Sequence, residues 1–425
     1  MSIAAFSGGA GCGKTYSVME QVARQLATKP LEPHQKVLAL TYMHGSRHRL
    51  DEQLEKLPAL RGRHEASTVD SFAWLVCRRM RARVREMGGV MPASNDFHAT
   101  CALAAELLAD PMICKWVAAS YPIIIVDEAQ DLDASRLKIV EGLLSSSCLF
   151  LAYDEFQCLD ASNRPAAVLE WIEGKCVPKT LDVSKRTDVK ELLLAASQVR
   201  GGQPLTADGP SFKVKDAPGP AATPHLAAAL VAYQISKGGT FALITPTRRE
   251  KAPFVQGIID LVGAKPQKSG IGPYRVLWER SEDSRADKVR ALLGKNVSFS
   301  YADLAALLSP YADFVPATSM LAATKRARDA GGVESFSSPV LKESFERSLS
   351  TTRQNTRRHT GGRRAMTVHQ AKNREFDHVV LVWPFQTASD PDDRRRIFYN
   401  AITRARRSCL VILQKGDLRN QAPFV

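Results

Sequence analysis

Gly8-Gly9-Ala10-Gly11-Cys12-Gly13-Lys14-Thr15 fits the pattern G-x-x-x-x-G-K-[ST]. The apolar run Ile3–Phe6 before it predicts a buried strand. Thr15–Ala27 after it carries apolar residues at Val18, Val22 and Leu26, the spacing of one helix face. Strand, glycine-rich loop and helix together make a phosphate-binding loop. The glycines let backbone N–H groups of Gly8, Gly9, Ala10, Gly11, Cys12 and Gly13 turn toward an anion. The helix N-terminus adds its positive end. Lys14 is then expected to reach the β- and γ-phosphates of a nucleotide, and Thr15 to ligate Mg²⁺.

A second element answers the first. Ile123-Ile124-Ile125-Val126 is a run of four β-branched residues, followed by Asp127-Glu128-Ala129-Gln130. Two carboxylates thus emerge at the C-terminal end of a predicted buried strand, where α/β sheets bind their ligands. Asp127 is expected to hold Mg²⁺, and Glu128 to polarise the attacking water as general base.

Further apolar runs predict strands at Val37–Thr41, Cys148–Ala152, Phe241–Ile244, Val379–Val382 and Leu410–Leu413, with helical patterns between most of them. This is an α/β pattern: parallel sheets flanked by helices, in two sets. The first set occupies 1–185, with a mainly helical insertion at about 73–120. The second occupies 186–425, with an insertion at about 250–362. Gly201–Pro224 reads as a linker or long loop.

Composition bounds the function. The 425 residues include 58 Lys+Arg and 44 Asp+Glu, a net charge of +14 that favours a polyanionic partner. No run of about 18 apolar residues predicts a membrane span. Met1–Phe6 lacks the basic start of a secretory signal, and the eight cysteines include no C-x-x-C pair. A cytoplasmic protein with reduced thiols and no cysteine-built metal site is expected.

GGAGCGKT with VDEAQDL resembles the superfamily 1 helicases of the UvrD/PcrA/Rep type. Ala365–Phe376 (AMTVHQAKNREF) resembles the family's motif V and Phe398–Arg406 (FYNAITRAR) its motif VI. Leu181–Thr187 resembles motif IV, and Leu149–Gln157 resembles motif III through Asp154 and Gln157. Leu38–Tyr42 and Ser67–Phe72 resemble motifs Ia and Ib. The resemblance implies two RecA-like P-loop domains with ATP and Mg²⁺ in the cleft between them. It implies that Gln157 senses the γ-phosphate and that Arg186 and Arg404 act as arginine fingers. Glu375 would bind the nucleotide sugar or help coordinate the cleft. Tyr42, Thr68, Thr367 and His369 match positions lining a single-strand track. Outside the TRA context, Arg404 and Arg406 would read as a solvated basic helix face.

Four departures stand out. The phosphate loop begins seven residues from Met1, so the upstream glutamine motif that reads adenine is expected to be missing. Lys185 replaces the motif IV tyrosine that stacks on the base. The segment after motif III reads Cys158-Leu159-Asp160-Ala161-Ser162-Asn163-Arg164-Pro165, without the aromatics that stack on DNA bases. The insertions are also short for the family, which suits a minimal translocase or one needing a protein partner. Basic clusters at Arg78–Arg85, at Lys325, Arg326 and Arg328, and at Arg353–Arg364 suggest a phosphate-tracking groove. The expected activity is ATP-dependent translocation or unwinding on single-stranded DNA, with RNA as the alternative substrate, 3′-to-5′ by resemblance. The competing expectation is a nucleotide-dependent switch subunit without processive unwinding.

Overall fold

The computed structural model describes residues 2–42, 44–92, 96–160, 165–216, 224–267, 270–279, 284–294, 297–358, 362–384, 390–414 and 416–425. It holds two six-stranded, all-parallel sheets flanked by helices, the expected α/β architecture. The first sheet comprises β1 (Ile3–Gly8), β2 (Val37–Thr41), β3 (His64–Thr68), β4 (Ile123–Asp127), β5 (Cys148–Tyr153) and β6 (Lys179–Leu181). Its order is β3-β2-β4-β5-β1-β6. The helix α1 (Lys14–Thr28) follows the glycine loop and buries Val18, Met19, Val22 and Leu26 against β1, β2, β4 and β5 residues.

Next in the chain come β7 (Phe212–Asp216), β8 (Phe241–Thr245) and β9 (Leu277–Trp278). Strands β10 (Ser298–Ser300) and β11 (Ser335–Ser337) form a separate antiparallel pair. The last three, β12 (Arg364–Thr367), β13 (Phe376–Trp383) and β14 (Ala405–Leu413), complete a second sheet ordered β7-β14-β13-β8-β12-β9. Its two faces alternate along the strands, as pleating requires. Ala242, Ile244, Val379 and Leu381 face one core, while Phe241, Leu243, Val380 and Val382 face the other.

The strands not foreseen in the sequence are short, polar or at sheet edges. His64–Thr68 and Phe212–Asp216 carry little apolar alternation, and Leu277–Trp278 has only two residues. They form because a neighbouring strand already offers its N–H and C=O groups.

Residues 91–97 and 280–361 form a compact unit of their own. Its core gathers Ala286, Val289, Leu304, Met320, Leu341 and Phe345 from its helices, with Phe314 at a helix N-cap and Phe336 from β11. Lys325, Arg326 and Arg328 are exposed on the helix Val315–Gly331 of this unit. In the basic cluster at 353–364, residues 359–361 lie outside the described residues, as do 161–164 and 217–223 of the segments discussed above. Among the described residues, no helix is long and apolar enough to cross a membrane.

One aromatic ties the two sheets together. Phe156 lies in the short turn Glu155–Gln157 that leaves the first sheet, yet it is buried in the core of the second. Its ring meets Tyr399 edge-on at 5.1 Å. Truncating such a side chain costs about 3–5 kcal/mol, and here the loss falls on the junction. We predict that Phe156→Ala separates calorimetric unfolding into two transitions, with the first well below the wild-type midpoint. A single transition at the wild-type temperature would contradict the anchoring role.

Candidate active site

The functional residues of the first sheet all leave the C-terminal ends of its strands. β1 runs into the glycine loop, β4 into Asp127 and Glu128, and β5 into Asp154 and Gln157, while the chain after β6 crosses at Ser184–Arg186 to the second sheet, where Arg186 meets Glu375. The loop is shaped by glycine: Gly8, Gly11 and Gly13 all have positive φ, and Gly13 sits left-handed at the N-cap of α1. Gly11 also has no room for a side chain, since a Cβ there would stand 2.6 Å from the Arg186 Cβ. The Lys185 N–H donates to the Gly11 carbonyl at 2.7 Å. Lys14 Nζ donates to the carbonyls of Gly8 (2.8 Å) and Gly9 (3.0 Å), so the lysine lies along the loop.

Glu128 is one of two non-glycine residues at positive φ among the described residues (φ 60°, ψ 42°). A left-handed glutamate is uncommon and costs conformational energy. It is held there by neighbours. Gln130 Nε2 donates to Glu128 Oε2 at 2.5 Å, while Gln130 Oε1 accepts the Asp154 N–H at 2.9 Å. Burial alone would raise the Glu128 pKa, but Lys372, then Lys14, the Gln130 hydrogen bond and Arg404 together lower it. Asp127 differs. Burial, with the Glu128 charge added, pushes its carboxyl up to about 6. The two carboxylates are hard oxygen donors beside the loop that carries Thr15, a donor set that suits Mg²⁺ better than a softer metal.

The second sheet delivers its groups from the opposite edge. Glu375 precedes β13 and Arg404 precedes β14, and the Phe376 N–H donates to the Arg404 carbonyl at 2.9 Å. Arg404 is 1% exposed, and its guanidinium donates to the Asn400 carbonyl at 2.9 Å. Burial, then repulsion from Arg186, lowers its pKa to about 9, while Glu128 and Glu375 oppose the shift. Arg186 donates to Glu375 Oε1 (2.8 Å) and to the Thr403 carbonyl (2.7 Å). Against the cost of burial, Arg186 and then Arg406 hold the Glu375 carboxyl at about 2. Lys14, Glu128, Arg186, Glu375 and Arg404 therefore share one electrostatic neighbourhood, and Gln157 is buried after β5. The Lys185 ammonium stands 4.3 Å above the ring of Tyr16, which is 63% exposed. An aromatic is thus present beside the loop, though not at the motif IV position.

The residues expected on a nucleic-acid track also stand at strand C-termini: Tyr42 after β2, Thr68 at the end of β3 and Thr367 at the end of β12. Tyr42 is exposed after β2, with the Arg136 guanidinium 5.3 Å from its ring. Thr68 and Thr367 prove to be helix N-caps. The Thr68 hydroxyl accepts from the Ser71 N–H, and Thr367 forms a capping box with Gln370. Thr68 is buried, so what it presents is a helix N-terminus rather than a free hydroxyl. His369 is exposed, and its pKa is lowered, by partial burial first and then by Lys372 and Arg248. Arg78, Arg79, Arg81, Arg83 and Arg85 are all exposed.

Several residues of the site were not assigned from the sequence. Lys372 donates to Asp131 Oδ2 at 2.5 Å, across from β12 to the turn after β4, and Asn373 Nδ2 donates to Ser46 Oγ at 2.5 Å. Asp131 and Glu128 keep Lys372 charged despite its burial. Lys372 and Gln130 stood inside the quoted motifs, and their positions beside His369 and Glu128 were the available signal. Arg200 and Asp154 form a further ion pair at 2.7 Å, and nothing local in the sequence marks Arg200.

Residues 1–163 match the AAA domain family, and residues 363–412 match the UvrD-like helicase C-terminal domain family. These matches support the resemblance of the chain to superfamily 1 helicases of the UvrD type. No curated protein sequence matches it. Two solved structures of Arterivirus nonstructural protein 10 (helicase) are similar in part. The one described as a complex with DNA has 12% identity and TM-score 0.41, covering 100% of this chain and 63% of that one. The other has 12% identity and TM-score 0.40, covering 99% and 61%. The chain thus spans less than two thirds of the length of either.

The raised Asp127 pKa sets a testable sign. A carboxyl whose folded pKa lies near 6 against 3.8 stabilises the fold only below about pH 4, and that contribution is lost as pH rises through 6. At neutral pH the ionised group is therefore a net cost to the fold. We predict that Asp127→Asn is more stable than wild type at pH 7.5 in urea unfolding, and that the difference closes between about pH 6 and 4. Equal stability at both pH values would refute the burial argument.

Proposed function

We propose that this chain is an ATP-driven motor that moves along single-stranded DNA, 3′-to-5′, hydrolysing ATP between two RecA-like domains at 1–185 and 186–425. The observation that carries the reading is the meeting of Arg186 and Arg404 with Lys14 and Glu128 across one seam. Arginines supplied from the far wall stabilise transition-state charge only when both walls close on the triphosphate, so hydrolysis is linked to relative motion.

In this reading the backbone of Gly8–Lys14 cradles the phosphates. Thr15 and Asp127 would hold Mg²⁺, which would supply positive charge against the phosphates. Glu128, kept ionised by Lys372 and Lys14, accepts the proton of the attacking water. Gln157 senses the γ-phosphate, and Glu375, locked between Arg186 and Arg406, takes the nucleotide sugar or orders the cleft. Tyr42, the helix N-termini capped by Thr68 and Thr367, and His369 line the strand. Their link to the hydrolytic site is short: three residues after His369, Lys372 pairs with Asp131 and biases Glu128. We place the protein in the cytoplasm.

The segment from Cys158 favours a second reading, a nucleotide-dependent switch acting on a protein partner. It carries no aromatic to stack on bases. The ATPase rate with and without single-stranded DNA or RNA separates the two. Strong stimulation supports the motor, and a rate indifferent to nucleic acid supports the switch. We further predict that Glu128→Gln retains ATP binding but abolishes turnover, measured by phosphate release. Arg404→Ala is expected to lower turnover by about 10³ or more while leaving single-strand binding intact. Near-normal hydrolysis in the first variant, or equal loss of binding and turnover in the second, would overturn these roles.

A further inference from the structure

We propose that Arg200 is a positioning residue for nucleotide binding. It holds the Asp154 carboxylate, and so leaves the charge of Lys14 available to a triphosphate. The inference rests on the nucleotide reading of the glycine loop given above, and none of the family motifs covers Arg200.

Arg200 ends the helix Lys190–Arg200. Its Nη1 donates to Asp154 Oδ1 at 2.7 Å and stands 3.4 Å from the Tyr399 hydroxyl. That hydroxyl accepts the Ala10 N–H of the glycine loop at 2.9 Å. A Cβ added to Gly9 would stand 3.0 Å from the Tyr399 hydroxyl and 3.7 Å from Arg200 Nη1. The cluster therefore lies against the first residues of the phosphate cradle.

Asp154 is 1% exposed, and its second oxygen, Oδ2, has no hydrogen-bond partner among the described residues. That oxygen stands 3.9 Å from Lys14 Nζ. A buried carboxylate must be matched by a cation or lose its charge. Here two cations flank one carboxylate at unequal distances, 2.7 Å for Arg200 and 3.9 Å for Lys14. Arg200 carries the pairing, and Lys14 keeps its hydrogen bonds to Gly8 and Gly9 instead. Without Arg200, the unpartnered Oδ2 faces Lys14 as the nearest remaining cation. The lysine would close onto it, and an incoming phosphate would have to compete. The effect belongs to the ground state, because Lys14 must be freed before any phosphate is bound. Arg200 thus differs from Arg186 and Arg404, whose proposed contacts strengthen during the reaction.

The test uses the full chain, a fluorescent ATP analogue for equilibrium binding, and steady-state ATPase assays. Arg200→Ala and Arg200→Gln, each checked for an unchanged melting temperature, are expected to weaken binding about tenfold, or about 1.4 kcal/mol. KM for ATP should rise in parallel, with kcat within about threefold of wild type. Arg200→Lys should recover most of the loss. In an Asp154→Asn background, removing Arg200 should cost less than about twofold, because no carboxylate remains to capture Lys14. An equal cost in that background overturns the proposal, and so does unchanged binding in both Arg200 variants. A hundredfold fall in kcat with binding intact also overturns it, since that marks a direct transition-state contact. Wild-type protein that binds no nucleotide would overturn the nucleotide reading, and this inference with it.

Discussion

Asp127 and Glu128 sit side by side where β4 ends, and two adjacent carboxylates of low exposure cannot both ionise unless cations stand over them. Lys14 comes from the same sheet, but Lys372 and Arg404 come from the other. Neither wall is electrostatically complete alone. The second wall has the converse problem: Arg404 and Arg186 repel one another, and Glu128 and Glu375 offset that repulsion. The seam is therefore held by complementary deficits of charge, a kind of contact that stays sensitive to any anion entering it. A triphosphate would bring negative charge to where the arginines converge.

Backbone geometry makes that convergence close. Glycine at positions 11 and 13 lets Arg186 and Lys185 approach the loop nearer than any side chain would allow. The connection from β12 to β13 makes the second close approach. It must return from the C-terminal edge of one parallel strand to the N-terminal edge of another, and it does so in a single short turn of helix, Val368–Ala371, followed by Lys372, Asn373 and Glu375. Lys372 and Asn373 then bond to Asp131 and Ser46 of the first sheet. One short segment thus carries both the proposed strand contacts at Thr367 and His369 and the groups that touch the proposed hydrolytic site. Coupling between the two needs no longer path than this.

Hydrophobic burial and polar matching divide the work differently at the junction. Phe156 and Tyr399 supply an apolar anchor, while the Ala10 N–H and Arg200, itself paired with Asp154, meet the Tyr399 hydroxyl. Tyr399 thus belongs to both, with its ring in the core and its hydroxyl on the phosphate loop. That dual use is what an amphipathic aromatic offers at a boundary between core and cleft.

The glycine loop, the β-branched run ending in Asp127 and Glu128, and the alternation of apolar strands with helical patterns were legible in the sequence because each depends on local periodicity or on a contiguous motif. The strands His64–Thr68 and Leu277–Trp278 were not, since an edge or two-residue strand takes its stability from a neighbour rather than from its own side chains. Thr68 and Thr367 match positions lining the single-strand track, and the fold shows each as a helix N-cap, which the motif alone does not reveal. Lys372, Gln130 and Tyr399 lay within recognised motifs, but their partners lie on other strands. Arg200 had no sequence signal at all, because its significance comes entirely from Asp154, 46 residues away in the chain and 2.7 Å away in space. The sequence by itself marked the residues whose chemistry suits phosphate, metal and water. Only the tertiary structure decided which charges face which, because electrostatic pairing depends on distance through space and on burial, and neither is written along the chain.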